Sequence, residues 1–493
     1  MEKLFKTTIL LVACFFTTIS CDDYLEVNPP YAQDADAYFN SPSDYEKALV
    51  AAYDLLQTSY LSIWIGEIAS DNAIAGGESV TDSEGLHQID AMTHGGVNNE
   101  LRSLWRWMYA GITRVNYIYE FRDNIEFDGK DRILAEAAFL RAYYYFELVK
   151  FFGDVPLIID RRLSAGEISA QQRTPKAEVY AQIETDLMFA ANTLDWTAPQ
   201  KGRITKGAAL SLLGKAYLYQ NKFGEAATVL EQVINEGPYE LFGDVSSLFR
   251  VANEGNPETV FDIEYVGVEG GSYGCFVCLE GNAAVGFHGI RGYQGPIYGD
   301  GNSYNLPTQD LVDAFETGDP RLEATVLDIE AFKNSQPDPT SVTYVEGGGG
   351  HTGFYNNKYL KRADELGAPD NDLTSPVNHK VIRYADVLLM AAEAHNRKAT
   401  PDDDRARELL NEVRDRVDLD PVLSSGAALT EAIYHERHIE LAGEGHRFFD
   451  LVRTGKAADE IDGFQTNKNE LFPIPQDEID LAGAGWDQNQ GYN

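Results

Sequence analysis

The sequence predicts a mainly α-helical fold in which pairs of helices support an irregular block with a few short strands. Three observations lead to this prediction. Apolar residues recur with helical spacing along residues 131–152 and 175–194. Residues 208–238 carry the small and aromatic residues of a tetratricopeptide-like helix pair. Between residues 255 and 378 this pattern gives way to glycine-rich stretches.

The first predicted helix pair lies in the N-terminal third of the chain. A helix over residues 131–152 ends at Gly153-Asp154-Val155-Pro156, where glycine and proline stop it. We expect it to pack against a helix over residues 105–121. Trp105 and Trp107 lie on this second helix, and we expect both rings to serve the core.

Two further pairs carry small residues at the expected helix contacts. The segment L-G-K-A-Y at residues 213–217 matches the L-G-x-x-Y element of a tetratricopeptide repeat, and Phe223 begins the partner helix. An alanine-rich helix over residues 384–397 and a helix over residues 403–416 form a similar pair. Arrays of such pairs usually make a scaffold or a binding surface.

The irregular block has a different composition. Residues 259–265 alternate between apolar and polar side chains as a strand does. Residues 270–305 are dense in glycine and aromatic residues, and four glycines follow one another at residues 347–350. Because long loops inside a packed helical protein are usually functional, we expect this block to contribute to function.

The first 20 residues have the pattern of a secretory signal peptide. Lys3 and Lys6 precede an apolar run over residues 9–16, which is shorter than the ~20 residues that a membrane-spanning helix needs. Cys21 follows at the position of a lipoprotein cleavage site, so we expect it to carry acyl chains that anchor the mature chain to a membrane. The alternative is a simple cleaved signal followed by a chance cysteine.

The charge and the few remaining cysteines exclude several classes of function. A net charge of −38 argues against nucleic acid and against adsorption to anionic lipid, and it disfavours a polyanionic ligand. No metal site or cofactor is expected, although the loop over residues 299–303 has oxygen ligands for a calcium ion. Cys275 and Cys278 either close a small disulfide or remain free thiols, and a zinc site would need two more ligands.

The chain resembles the SusD/RagB family over nearly its whole length. The motifs that carry this resemblance occur in order along the chain: EAAFLRAYYYF (136–146) with FGDVP (152–156), IRYADVLLMAAEA (382–394), LNEVRDR (410–416), ER (436–437) with ELA (440–442), GHRFFDLVR (445–453), LFPIP (471–475) and QNQGYN (488–493). Asp22-Asp23, directly after the cysteine, resembles the surface-export signal of Bacteroidetes lipoproteins. These ordered motifs behind a lipoprotein signal make the resemblance specific.

This resemblance implies one domain over residues 21–493, with four tetratricopeptide-like helix pairs and an irregular ligand-binding half. Its parts are an N-terminal part over residues 21–254, a loop-rich insert over 255–378 and a helical part over 379–493. Members of the family are lipid-anchored at the outer membrane as lids on SusC-like TonB-dependent transporters. They capture oligosaccharides, and some bind peptides instead.

Most of these motifs are structural on a physical interpretation, and they do not locate the ligand. Arg141, Arg383 and Arg447 stand among aromatic residues, and a buried guanidinium needs a carboxylate partner. We expect Asp386 and Asp450 to supply such partners. The motifs therefore identify the scaffold.

Two segments have the residues that a saccharide site requires, which are rings for the apolar sugar faces and polar side chains for the hydroxyls. The first contains Trp64, Asp71 and Asn72. Here Trp64 is alternatively a core residue and Asp71 a helix cap. The second lies between residues 273 and 304 and contains these candidates: Tyr273, Phe276, Phe287, His288, Arg291, Tyr293 and Tyr298.

The leading functional hypothesis is a non-catalytic, surface-exposed glycan-binding lipoprotein. The acidic chain and the aromatic loop favour a neutral glucan such as laminarin. A peptide-binding lipoprotein of the same family is the first alternative. A glycoside hydrolase is the second, but among 78 Asp and Glu residues no catalytic carboxylate pair can be nominated.

Overall fold

The computed structural model describes residues 38–268, 271–366, 372–482 and 485–492. The predicted signal peptide and Cys21 lie outside the described residues. No described helix is long and apolar enough to cross a membrane.

The helices, numbered in chain order, are α1 (Pro42–Asp54), α2 (Tyr60–Ile68), α3 (Glu84–Asp90), α4 (Asn99–Glu120), α5 (Lys130–Phe152), α6 (Ala165–Ile168), α7 (Lys176–Thr193), α8 (Lys206–Tyr219), α9 (Phe223–Glu236), α10 (Ala283–His288), α11 (Gln309–Ala314), α12 (Arg321–Thr325), α13 (Ile329–Ser335), α14 (Tyr384–Arg397), α15 (Asp403–Asp415), α16 (Gly426–Leu441), α17 (Arg447–Thr454), α18 (Ala457–Glu460) and α19 (Gln476–Leu481).

The short strands pair into antiparallel two-stranded sheets. They are β1 (Ala73–Gly76), β2 (Thr259–Ile263), β3 (Tyr304–Pro307), β4 (Val326–Asp328), β5 (Phe354–Asn356) and β6 (His379–Arg383). Strand β1 pairs with β3, β2 with β6 and β4 with β5, so each sheet joins segments that are distant in sequence. The predicted strand over residues 259–265 ends two residues early, at Ile263.

The long helices form a continuous layer that confirms the predicted mainly α-helical fold. In order of contact, this layer runs α4, α5, α7, α8, α9, α14 and α15, and α16 packs on α14 and α15. The three predicted pairs α4/α5, α8/α9 and α14/α15 are all present. Helix α4 begins earlier than predicted because the Asn98 side chain accepts from the backbone N–H groups of Glu100 and Leu101.

Glycine permits the closest approaches in this layer. A Cβ on Gly214 would lie 2.5 Å from Leu230, so the glycine of the L-G-x-x-Y element lets α8 and α9 pack closely. Gly111 has the same role between α4 and α5, where a Cβ would clash with the Tyr144 ring. The small residues of the repeat pattern therefore fix the spacing of the helices.

Buried ion pairs hold the scaffold together, but their partners differ from those expected. Arg141 pairs with Asp186 of α7 at 2.7 Å, and Arg447 pairs with Asp71 at 2.6 Å. Arg383 bonds Glu440 and Glu444, each at 2.8 Å. The two aspartates expected as partners pair with a different arginine: Asp386 and Asp450 both accept from Arg437. Each guanidinium still satisfies the rule that a buried charge is paired.

The irregular block has a small core of its own. Ile290, Leu306, Leu327, Ile329, Val342, Tyr355 and Leu360 form it together with Tyr293 and Tyr298. These residues come from segments up to 70 positions apart, brought together by the β1–β3 and β4–β5 pairings. The block is thus a folded unit against the helical layer.

Candidate functional site

A cleft of about 560 Å³ lies where the helical layer meets the irregular block. Its walls come from α2, from α4, from the loop after β1, from β3, from α10 and from the loop around Cys275. The lining residues are Tyr60, Leu61, Trp64, Glu78, Asp82, Ser83, Asn99, Glu100, Ser103, Trp107, Tyr273, Phe276, Phe287, Arg291, Asn302 and Tyr304. A cleft of this volume is in the range that proteins use for ligands.

Aromatic rings form one continuous wall of this cleft. Tyr60 and Trp64 lie four residues apart on α2 and therefore on one face of the helix, with ring centroids 5.4 Å apart. The Trp64 ring lies 4.6 Å from Phe287 and 5.7 Å from Tyr304. Tyr60, Trp64, Phe287 and Tyr304 are each at most 6% exposed and belong to the main hydrophobic core, which agrees with the alternative interpretation of Trp64. They form the floor of the cleft, and the surface that remains exposed is aromatic and apolar.

Helix α4 adds a second wall that presents both polar and aromatic side chains. Asn99, Ser103 and Trp107 follow one another at intervals of four residues and thus share one face. The half-buried Trp107 ring lies 6.2 Å from Tyr60. Trp107 packs against the core, as expected, and also lines the cleft, whereas Trp105 is buried 5.1 Å from the Phe152 ring. Two residues along a helix turn the side chain by about 200°, which separates the two tryptophans.

A disulfide-closed loop forms the exposed edge of the aromatic wall. Cys275 and Cys278 are joined by a disulfide, and Phe276 between them lies 6.0 Å from the Phe287 ring. The Gln57 side chain donates to the backbone carbonyl of Val277 at 2.7 Å and holds this loop against the helical layer. The cross-link and the hydrogen bond together position Phe276 at the cleft.

Tyr273 is the outermost ring of the site. Its side chain is 52% exposed, and its hydroxyl donates to Asp372 at 3.2 Å. The ring stands edge-on to Phe276, with centroids 6.3 Å apart. An exposed ring beside a buried aromatic wall extends the stacking surface outward.

The polar side of the cleft is predominantly acidic. Glu78, Asp82 and Glu100 bring three carboxylates to it, against the single guanidinium of Arg291. Arg291 lies 3.4 Å from Glu78 and 3.9 Å from Asp82. Carboxylates accept hydrogen bonds from hydroxyl groups and repel other anions, so this side favours a neutral, hydroxyl-rich ligand.

Three polar atoms in the cleft walls lack a hydrogen-bond partner in the part of the chain that the structure describes. They are Trp64 Nε1, Glu100 Oε2 and Arg291 Nε. Burial raises the pKa of Glu100 above its ordinary value. Buried donors and acceptors without partners are rare in folded proteins, and they are typical of sites that complete their bonding with a ligand or water.

Asp71 and Asn72 do not face this cleft, contrary to the sequence prediction. Both Asp71 carboxylate oxygens accept from Arg447, at 2.8 and 2.6 Å, and this pairing lowers the Asp71 pKa against the opposing effect of burial. Asn72 is fully buried and donates to Glu67 at 2.9 Å, while its side-chain oxygen lies 2.6 Å from a His438 ring nitrogen. Their polar groups are occupied by the scaffold.

Three candidates from the glycine-rich segment are likewise part of the interior. His288 is fully buried behind the aromatic wall, 3.1 Å from the Asn305 side chain. Tyr293 and Tyr298 pack in the small core of the irregular block, and the Tyr293 hydroxyl donates to the Pro296 carbonyl at 2.6 Å. A glycine, too small to bury a ring, lies next to each of these two tyrosines in sequence, but residues 327–360 pack against the tyrosines and bury them.

The structure thus brings Trp64, Tyr273, Phe276, Phe287 and Arg291 together. It adds residues that the sequence interpretation missed, the most important of which are Tyr60, Trp107, Tyr304 and the three carboxylates. Tyr60 had a detectable signal, since it precedes Trp64 by one helical turn. Tyr304 had none, because only the pairing of β3 with β1 brings it to the cleft.

No group of three His, Cys, Asp or Glu residues in the described ranges is arranged to hold a metal ion. In the loop considered for calcium, the Asp300 carboxylate accepts from the Gly301 backbone at 2.9 Å, as in an ordinary turn.

Two family profiles match this chain, one in each half. The profile described as "SusD family" matches residues 248–492. The profile described as "Starch-binding associating with outer membrane" matches residues 23–218. A curated relative, SusD-like protein P2 of Formosa agariphila, is 29% identical over 99% of this chain and 100% of its own length.

Solved structures share the fold over most of its length. A laminarin-binding SusD-like protein is 35% identical, with a TM-score of 0.83, and the match covers 92% of this chain and 100% of that protein. Surface glycan-binding protein A from Bacteroides thetaiotaomicron, solved in complex with laminarihexaose, is 26% identical, with a TM-score of 0.79. That match covers 91% of this chain and 100% of the other.

Proposed function

Because the chain belongs to the SusD family, we propose that it is a non-catalytic surface protein that binds a neutral glucan in the aromatic cleft. The single observation that carries this proposal is the continuous wall of rings from Trp107 to Phe276 in a cleft of about 560 Å³. A wall of this kind stacks on the apolar faces of successive sugar rings, while the polar side bonds their hydroxyls.

The charge of the cleft supports a neutral ligand over an anionic one. Three carboxylates outnumber the single arginine, and the whole chain carries a net charge of −38. A uronic acid or sulfate group would be repelled at short range by the cleft carboxylates and at long range by the net charge of the chain. A laminarin-type β-glucan is the proposed ligand, since one solved relative is described as laminarin-binding and another holds laminarihexaose.

The proposed setting is the outer membrane. Cys21 would carry the lipid anchor, and a SusC-like TonB-dependent transporter would receive the captured glycan. The match to a profile for outer-membrane starch-binding proteins supports this setting. In this arrangement the protein holds its ligand reversibly and leaves bond cleavage to other proteins.

The test is calorimetric titration of the purified protein with laminarin oligosaccharides. Trp107→Ala should weaken binding at least tenfold, because it removes one stacking face, about 1.4 kcal/mol or more. Trp196→Ala is the matched control, since Trp196 is also half-buried but lies outside the cleft. Circular dichroism on both variants verifies that they are folded.

Three outcomes would contradict the proposal. Equal loss of affinity in both variants would place the ligand elsewhere. Oligosaccharide shortening during incubation, detected by chromatography, would identify a glycoside hydrolase. Binding of peptides together with indifference to laminarin would favour the peptide-binding alternative.

A further inference from the structure

We propose that a glucan longer than the aromatic cleft continues over the disulfide-closed loop into a second, polar cleft, which acts as an additional saccharide subsite. This inference rests on the proposed function. The polar cleft has a volume of about 390 Å³. Its walls come from the C-terminal end of α1 and the turn after it, from the loop before α8, and from the segment that begins in β2.

The two clefts share a thin wall. Leu56 and Gln57 line the polar cleft, whereas Tyr60 and Leu61, which begin three residues after Gln57, line the aromatic one. On the other side of the wall, Phe276 and Glu280 line the aromatic and polar clefts respectively. Four residues of extended chain span at most ~14 Å, so the Cα atoms of Phe276 and Glu280 on the two sides of the wall are no farther apart than that.

The shared ridge is fixed in place. The Gln57 side chain in the polar cleft donates to Val277 of the loop at 2.7 Å, and the disulfide closes the loop around that residue. The Tyr265 hydroxyl donates to the Gln57 carbonyl at 2.9 Å from below. A rigid, narrow ridge keeps both clefts at a constant separation, which a repeating polymer requires if it is to occupy both.

The polar cleft has the chemistry for sugar hydroxyls. Asp262 is buried in its wall, and one carboxylate oxygen bonds Lys380 at 3.0 Å while the other has no partner in the described structure. An unpaired buried acceptor favours a donor from a ligand, and a hydroxyl is the uncharged group that supplies one. The exposed side chain of Gln200 adds an amide, which both donates and accepts.

The two clefts would contribute unequally. The polar cleft has only the half-buried Tyr53 ring, which already lies beneath the Arg203 guanidinium at 5.3 Å, so it offers little stacking surface. It should bind short oligosaccharides poorly by itself. A chain already held in the aromatic cleft enters it at high effective concentration, so the gain appears only for long ligands.

The experiment compares β-1,3-glucan oligosaccharides of three and ten glucose units by calorimetry. Val50→Trp fills the polar cleft from an exposed position of α1, and Val97→Trp places the same ring at an exposed valine that lines neither cleft. Wild type and Val97→Trp should bind the ten-unit chain at least tenfold more tightly than the three-unit chain. Val50→Trp should retain affinity for the three-unit chain and lose most of that gain.

Each result decides the matter. If the long chain binds no tighter than the short chain, or if its gain survives in Val50→Trp, the second subsite is refuted while the proposed function stands. If neither oligosaccharide binds to the wild-type protein, the proposed function fails and this inference falls with it. A second blocking variant, Gln200→Trp, guards against misfolding of the first and should reproduce its effect.

Discussion

The helical layer and the irregular block bury aromatic and polar residues by different means. In the helical layer, tyrosines and phenylalanines of α5 are buried by helices close in sequence, and arginines such as Arg141 find carboxylates on the next helix. In the irregular block, each ring is buried or exposed according to segments that lie far along the chain. The comparison shows that sequence motifs describe the scaffold, while ligand contacts arise where the two regions meet.

The largest expected effect concerns the free energy of unfolding and the buried ion pairs of the scaffold. Arg383 is fully buried and bonds Glu258, Glu440 and Glu444. Arg383→Ala should lower the free energy of unfolding by about 3–5 kcal/mol, because it leaves buried carboxylates without a counter-charge. Urea denaturation measures the loss.

The matched control is Arg102→Ala, whose pair with Asp477 at 3.2 Å lies at the surface. It should cost less than about 1 kcal/mol. Similar losses for the two variants would show that the buried network around Arg383 stabilises the fold no more than a surface ion pair does.

The next prediction distinguishes aromatic residues of the irregular block that stabilise its core from those that bind the glucan. Tyr293→Ala should lower the free energy of unfolding by about 3 kcal/mol and leave glucan affinity within twofold, because Tyr293 lies in the small core. Phe276→Ala should do the reverse, weakening glucan binding about tenfold with little loss of stability. Denaturation and calorimetry on both variants test the contrast. Parallel effects on stability and affinity would mean that core and cleft are not separate.

The smallest expected effect concerns pH. Burial lowers the pKa of His288 to about 3, against 6.5 in an unfolded chain. Below pH 6.5 the unfolded chain therefore binds a proton that the folded chain excludes, and stability falls as the pH falls from 6.5 towards 3. At pH 5 this one residue should account for about 2 kcal/mol.

His288→Gln tests this effect, because glutamine does not titrate and retains a polar group for Asn305. The cost of the altered packing appears equally at pH 8 and pH 5 and cancels in the difference. The stability lost between these two pH values should be about 2 kcal/mol smaller in the variant than in wild type. An unchanged difference would show that the folded protein accommodates the imidazolium.

Much of the scaffold was predictable because its signals are local. Helical periodicity, the L-G-x-x-Y element and the stop at Gly153 depend on residues within a few turns of one another, and the predicted pairs are present. The partners of Arg383 and Arg447 were not predictable, since Asp386 and Asp450 lie three residues after them, whereas the carboxylates that the two arginines bind are distant in sequence. Proximity in space chose among equivalent acids.

By itself the sequence determined the helix-paired scaffold, the family and the kind of side chain that a glycan site needs. Only the tertiary structure decided which aromatic residues form that site. Trp64 and Tyr298 are similarly buried, each in a hydrophobic core, yet only Trp64 also lines the cleft. The reason is that burial in a loop-rich region depends on strand pairings between distant segments, and these leave no periodic pattern in the chain.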